Sequence, residues 1–331
     1  MESLYVIDHG LHIKRRSERL VIKKAGRVLE EIPVHGLQRV VVFGRNQFTT
    51  DVLRLFAANG VDVAFLSEHG RFSYRLVPQN SKNVYLRLAQ NGKYREEAFR
   101  VQLGRLLVGA KIHNQRALLV RYRRQRDAEE VHHAVEALQA AMKAVEEAQE
   151  MDRIRGIEGH AAKIYFAALS SLLKHGFTFS GRRYHPSPDP VNAMLSFGYT
   201  LVTNEITGLM EAHGFDVHLG FFHGLRYGRA SLATDLLEEF RAPVVDRLIL
   251  YLINKRVVEA DQFRTDKPGD CRMNEKALRT FLNNYERFVT SAFVQPATKE
   301  KTHYRALFRL QVCRLERTLL KEAAYEPYLF Y

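Results

Sequence analysis

The chain reads as an α+β protein, with a small, mainly β N-terminal domain over residues 1–80 and a larger all-α helical domain over residues 84–331. Three observations lead there. At 331 residues the chain exceeds one average domain, so two cores are expected. Up to Val77 the apolar residues fall in short β-branched and aromatic runs broken by turn residues. Past residue 84 their spacing changes to three and four, the period of a helix face.

Runs at 4–7, 20–22, 40–43, 61–65 and 72–77 predict strands, with a hairpin turn at His69-Gly70. Val52, Leu55 and Phe56 share one face of a single intervening helix, closed by Asn59-Gly60. Residues 78–83 have the composition of a linker. Helices are then expected at 93–126, 128–148 and 151–175, the last ended by His175-Gly176. Asp189 as N-cap and Pro190 in the first turn open the next helix, and Gly214 closes it. Three more follow at about 232–258, 274–292 and 303–323. No fixed-period repeat is present.

Composition narrows the function. Hydrophobic residues at 46% can fill real cores, so the chain is not of the disordered class. Lys and Arg number 50 against 37 Asp and Glu, a net charge of +13, which favours a polyanionic partner, nucleic acid first. The helix at 93–126 carries Lys93, Arg95, Arg100, Arg105, Lys111, Arg116, Arg121, Arg123, Arg124 and Arg126. These face either phosphates or the Glu-rich helix that follows. No run of 18 apolar residues exists, so a membrane span is not expected. Cys271 and Cys313 lack Cys-x-x-Cys spacing, which argues against a disulfide scaffold or a cysteine-zinc module and fits a reducing cytoplasm.

Three segments carry chemistry. Glu158 lies seven residues before Tyr165 on one helix face, among Gly156, Gly159, Ala161 and Ala162, which leave room for a neighbouring helix or a substrate backbone. Paired with Arg155, it would be an ordinary solvated carboxylate. His223 follows Gly220-Phe-Phe, a setting that also suits a structural histidine. Asp235 and Glu238, three apart, project to one side of a helix beginning near Ser231 and repel unless a cation lies between them. Two carboxylates and an imidazole from separate segments can make a site for Mg²⁺ or Mn²⁺ suited to phosphoryl transfer. Between them, Arg182 and Arg183 precede a helix N-terminus whose first turn holds Asn192, an arrangement open to phosphate or to simple solvation.

In this order, these segments resemble the CRISPR-associated integrase family, the subunit of the adaptation complex that inserts new spacers. The likeness spans the Leu-Tyr-Val start, Arg155-Gly-x-Glu-Gly-x-Ala, Pro188-Asp-Pro-Val-Asn-Ala-Met, Gly220-Phe-x-His and Asp235-Leu-x-Glu-Glu-Phe-Arg. It implies metal ligands at Glu158, His223 and Glu238, with Asp235 close by. Asp235, Tyr165 and Asn192 take catalytic supporting roles, and Arg182, Arg183 and Arg241 are expected to bind DNA. It further implies Mg²⁺ or Mn²⁺, a homodimer through the β domain, and two dimers flanking a dimer of a second CRISPR adaptation subunit. The reaction is 3′-OH attack on a phosphodiester at the edge of a CRISPR repeat. Rival readings are a stand-alone metal-dependent nuclease of repair or degradation, and a non-catalytic DNA-binding scaffold whose acids only form salt bridges.

Overall fold

The structure, a computed structural model, describes residues 2–77, 83–123, 129–183, 186–267, 269–296 and 298–331. The chain divides into two compact units, Met1–Asn80 and Ser81–Tyr331. The sequence linker at 78–83 lies, apart from Asn83, outside the described residues, as do Arg124 and Arg126.

The first unit holds two four-stranded sheets. One runs β1 (Ser3–Val6), β5 (Arg39–Phe43), β7 (Asp62–Leu66), β8 (Phe72–Leu76), parallel except for the final β7–β8 hairpin. The other is ordered β4 (Arg27–Pro33), β3 (Arg19–Lys24), β2 (Leu11–Arg16), β6 (Gln47–Phe48). Helix α1 (Thr50–Ala58) buries Val52, Leu55 and Phe56, the face its spacing predicts. Val40, Val42, Val61 and Val63 join Ile13, Leu20 and Ile22 in one core.

Strands β2, β4 and β6 escape the sequence reading. In β2, Leu11 and Ile13 are buried while His12 and Lys14 face outward, a period of two masked by charge. Most of β4 is exposed, so it offers almost no apolar alternation.

The second unit is mainly helical: α2 (Val84–Arg95), α3 (Glu97–Arg123), α4 (Glu129–Glu147), α5 (Met151–Ser171), α6 (Pro190–His213), α7 (Ser231–Leu237), α8 (Arg247–Asn254), α9 (Glu275–Thr290) and α10 (Tyr304–Leu319). Asp189 caps α6 by accepting from the Asn192 amide, and Gly214 ends it at φ 98°. Three expectations are corrected. The helix at 93–126 is two, interrupted at Glu96. The helix at 232–258 is broken by a π-helical turn at Arg241–Asp246, where Pro243 has no N–H for a regular ladder. The unit is also not all-α, because β9 (Phe263–Lys267) pairs with β10 (Asp270–Met273) and β11 (Phe293–Val294) with β12 (Lys301–Thr302).

Helix α3 is the spine of this unit, packed against α4, α5 and the π-helical turn. The basic residues of α2 and α3 are therefore not one free cationic face. Lys111 is buried, Lys93 pairs with Glu96, Arg100 lies over the Tyr94 ring, and Arg105 donates to the Glu146 carbonyl. Among the described residues no helix is long and apolar enough to cross a membrane.

Candidate active site

The turn before α7 is built by one carboxylate. Asp235, 2% exposed, accepts from the amides of Phe221 at 2.6 Å, Phe222 at 3.0 Å and His223 at 2.9 Å. It also faces the His223 ring, with Oδ1 2.7 Å from Nδ1. An ionised carboxylate can only accept, so Nδ1 carries a proton and Nε2 is the nitrogen turned toward Glu238. Arg155 fastens the same turn from α5 by donating to the Phe222 carbonyl at 3.0 Å. Gly220 lets the turn close on α7, since a Cβ there would lie 2.6 Å from Ser231 Cβ.

Glu238, one residue past α7 and 2% exposed, receives three cationic or imidazole groups. Arg241 Nε donates to its Oε1 at 3.0 Å, His223 Nε2 stands 3.7 Å from the same oxygen, and Lys111 Nζ is 2.6 Å from Oε2. Burial pushes its carboxyl up, but Arg241, Lys111 and His223 outweigh that and hold it down at about 2. Lys111 also donates to Glu158 Oε1. Burial works against the Lys111 ammonium, yet the two carboxylates leave its pKa above the ordinary value. Glu158, Glu238 and His223 thus converge from α5, α7 and the preceding turn, as their sequence order suggests.

The two carboxylates, Glu158 and Glu238, converge on an ammonium. Among the described residues no three His, Cys, Asp or Glu side chains stand ready around a shared metal position. Lys111 takes the place between the carboxylates where a cation is needed. The donor set still fits a divalent ion: two carboxylate oxygens already clamp one cation, and Asp235 turns the His223 Nε2 toward them. Glu158 pairs with Lys111 rather than Arg155, which instead meets Asp152 at 2.7 Å.

Beside this cluster opens a cavity of about 710 Å³. Its lining includes five basic side chains, Lys111, Lys163, Arg182, Arg183 and Arg241, against a single carboxylate, Glu158. Phe166, Phe179 and Tyr199 supply apolar wall. Gly156 and Gly159 do not seat a neighbouring helix, since a Cβ on either would meet nothing within 4 Å; Gly159 and Ala162 instead line the open cavity.

The supporting residues sit one layer back. Asn192 is fully buried and builds the basic loop: its Oδ1 accepts from Arg182 Nη1 at 2.9 Å and from the Arg183 amide at 2.8 Å, and its Nδ2 donates to the Gly181 carbonyl at 3.0 Å. Tyr165 is fully buried and does not reach the carboxylate cluster. Two helical turns separate it from Glu158, and its hydroxyl donates to Asp246 Oδ2 at 2.7 Å. Tyr199 donates to Asp246 Oδ1 at 2.5 Å and lies under the guanidinium groups of Arg241 and Arg182, at 4.4 and 5.4 Å. Burial raises the Asp246 pKa to about 6, against the pull of the two tyrosine hydroxyls.

Lys111 and Asp246 are the residues that sequence reasoning missed as part of this site. Leu103, Leu107, Ala110, Lys111 and Asn114 fall on one helical stripe, so Lys111 and Asn114 are polar residues inside an apolar face. That signal was available.

Residues 4–287 match the family described as CRISPR associated protein Cas1. The CRISPR-associated endonuclease Cas1 1 of Chlorobaculum tepidum is 34% identical over 338 positions, covering 100% of this chain and 98% of its own length. A casposase bound to integration product shares the fold, with a TM-score of 0.87 at 21% identity over 99% of this chain and 93% of that one. A Cas1 protein from Thermotoga maritima is 26% identical with a TM-score of 0.82, covering 99% of this chain and all of that one.

Proposed function

The chain belongs to the CRISPR-associated Cas1 family, and from that premise we propose that it is a metal-dependent DNA integrase and endonuclease. The observation that carries the reading is the clamping of one cation, Lys111, by Glu158 and Glu238, with His223 Nε2 3.7 Å from Glu238, beside a cavity walled by basic side chains. A cavity of that charge suits a phosphodiester.

The reaction is a transesterification. The 3′-oxygen of a DNA fragment bonds to a phosphorus at the edge of a CRISPR repeat, and the P–O3′ bond of the repeat strand breaks, leaving a new 3′-hydroxyl there. Water in place of the attacking hydroxyl gives hydrolysis, the endonuclease reaction. Glu158, Glu238 and Nε2 of His223 would hold Mg²⁺ or Mn²⁺, which when bound favours loss of the attacking hydroxyl's proton and offsets charge on the phosphate. Asp235 keeps His223 in one tautomer and one orientation. Arg182 and Arg183, aligned by Asn192, bind the phosphate from the cavity wall, while Arg241 stays on Glu238. Tyr165 acts from behind, holding Asp246 and with it the Tyr199 ring beneath both guanidinium groups.

The assembly we infer is a homodimer through the β domain, two such dimers flanking a dimer of the second adaptation subunit, working on the CRISPR array in the cytoplasm. Exposed Val28 and Leu29 on edge strand β4, and Phe72 and Tyr74 on edge strand β8, support the β domain as the dimer surface. A strand-transfer assay tests the whole reading. A 3′-OH fragment and a repeat-containing plasmid, incubated with both subunits and Mg²⁺ or Mn²⁺, should yield joined products. Cleavage without joining, with the second subunit present, would support the stand-alone nuclease instead.

A further inference from the structure

We propose that Lys111 is a built-in counter-ion that holds the two metal-binding carboxylates in the metal-free protein, leaves them when a divalent cation arrives, and then pairs with a phosphate of the DNA. Metal and DNA would therefore bind with positive coupling. This rests on the reading of Glu158, Glu238 and His223 as ligands.

Lys111 Nζ lies 2.6 Å from Glu238 Oε2 and donates to Glu158 Oε1, so it touches one oxygen of each carboxylate. A Mg²⁺ ion binds such oxygens at about 2.0–2.1 Å. A dication and an ammonium cannot share that position, because they would overlap and repel. One must leave, and the ammonium is the one on a flexible stem.

Glu238 is 1% exposed at its side chain and Glu158 23%. Two carboxylates brought this close repel without a cation between them, and a buried unpaired charge is costly. Arg241 Nε donates to Glu238. Lys111 therefore makes the metal-free fold tolerable, and by the same contacts it competes with the metal.

The displaced Lys111 ammonium needs a new anionic partner. Its side chain is 9% exposed, so solvent does not simply take it up, and an unpaired ammonium at that depth is itself unfavourable. Lys111 also lines the cavity shared with Arg182, Arg183 and Arg241. A phosphate entering that cavity supplies the missing anion. Metal without DNA leaves an ammonium stranded, and DNA without metal leaves it on the carboxylates; both together satisfy every charge. Linkage makes the coupling reciprocal.

Mn²⁺ titrated calorimetrically into the full chain, alone and with a short 3′-dideoxy duplex, tests this alongside melting temperatures without metal. The wild type should bind Mn²⁺ at least about 5-fold more tightly when the duplex is present. Lys111→Met should bind Mn²⁺ about 10-fold more tightly than wild type without DNA, lose most of the DNA effect, and melt at a lower temperature until Mn²⁺ is added. Tighter metal binding is not an outcome that structural damage produces. If Lys111→Met does not fold without metal, Lys111→Gln, equally neutral, gives the same comparison. Unchanged or weaker Mn²⁺ binding in the neutral variant overturns the proposal. A Glu238→Gln control separates the two readings: normal Mn²⁺ binding there defeats the ligand assignment itself, whereas lost binding there with an unaltered Lys111 variant defeats only the counter-ion.

Discussion

The carboxylate of Asp235 grips His223 twice, accepting from its backbone amide at 2.9 Å and meeting its ring Nδ1 at 2.7 Å. Position and tautomer of the imidazole are thus set by one side chain, which also takes the amides of Phe221 and Phe222. Asp235→Asn would offer one acceptor oxygen to four donors and turn an NH₂ group toward the rest. Denaturant unfolding should show a loss of about 2–3 kcal/mol, the cost of buried donors left unpaired. Mn²⁺ binding should persist, weakened about 10- to 100-fold through the loosened ring. Complete loss of Mn²⁺ binding would make Asp235 a ligand.

Glu158→Ala is the cleanest test of the metal assignment. Glu238 keeps both Lys111 and Arg241 when Glu158 is removed, so no buried carboxylate is orphaned. Strand transfer and cleavage should both disappear, while DNA affinity measured without metal stays near wild type because the basic cavity wall is intact. Near-normal strand transfer in this variant would remove Glu158 from the site.

Glu158, His223, Asp235 and Glu238 each stand in a segment with its own local signal, and their neighbourhood in space agrees with their grouping in sequence. Lys111 was read as one more cation on a basic helix, because charge counts do not reveal which face a helix buries; its partners lie 47 and 127 residues away. Arg241 is expected on DNA from the family resemblance; its Nε donates to Glu238 while its side chain also lines the cavity, a double engagement that the sequence does not reveal. Strand β4 stayed hidden because most of its side chains are exposed and leave no apolar pattern.

Arg183 should report directly on phosphate binding. Its side chain is exposed and lines the cavity, and its backbone amide, not its guanidinium, is what Asn192 holds. Arg183→Ala should keep the fold and reduce the slope of log affinity against log salt by about 0.9 for one lost duplex contact, or about 0.7 on single-stranded DNA. Fluorescence anisotropy across a salt series gives the slope. An unchanged slope would take Arg183 off the DNA path.

Asp246 gives the protein a defined pH response. Its folded pKa of about 6 lies above the ordinary 3.8, so between those values the folded state holds more protons than the unfolded one. Stability contributed by the neutral carboxyl is complete below about 3.8 and is lost as pH rises through 6. The shift is worth on the order of 3 kcal/mol. Asp246→Asn, which stays neutral, should flatten the melting-temperature profile between pH 4 and 7 relative to wild type. Parallel profiles would mean that Asp246 is charged throughout.

The C-terminal segment should act on the site through Glu239. Tyr325 donates to this buried carboxyl, the Tyr328 amide donates to its Oε2 at 2.6 Å, and Gln311 Nε2 does so at 2.7 Å. The same segment reaches α3, where Asn114 accepts from the Phe330 amide at 2.8 Å and donates to the Tyr328 carbonyl at 3.0 Å. Glu239 adjoins Glu238, and Asn114 lies one helical turn beyond Lys111, so residues 325–331 brace both sides of the carboxylate–ammonium contact. Deleting residues 326–331 removes the Tyr328 and Phe330 amide donors and the Tyr328 carbonyl, and uncovers Phe240, whose ring stacks on Tyr328 at 5.5 Å. Loss of several buried hydrogen bonds and an aromatic contact should cost at least about 3 kcal/mol in denaturant unfolding. Strand transfer should fall further than the folded fraction does, because Glu238 and Lys111 lose their fixed backbones. Activity that tracks the folded fraction alone would make the segment a stabiliser with no hold on the site.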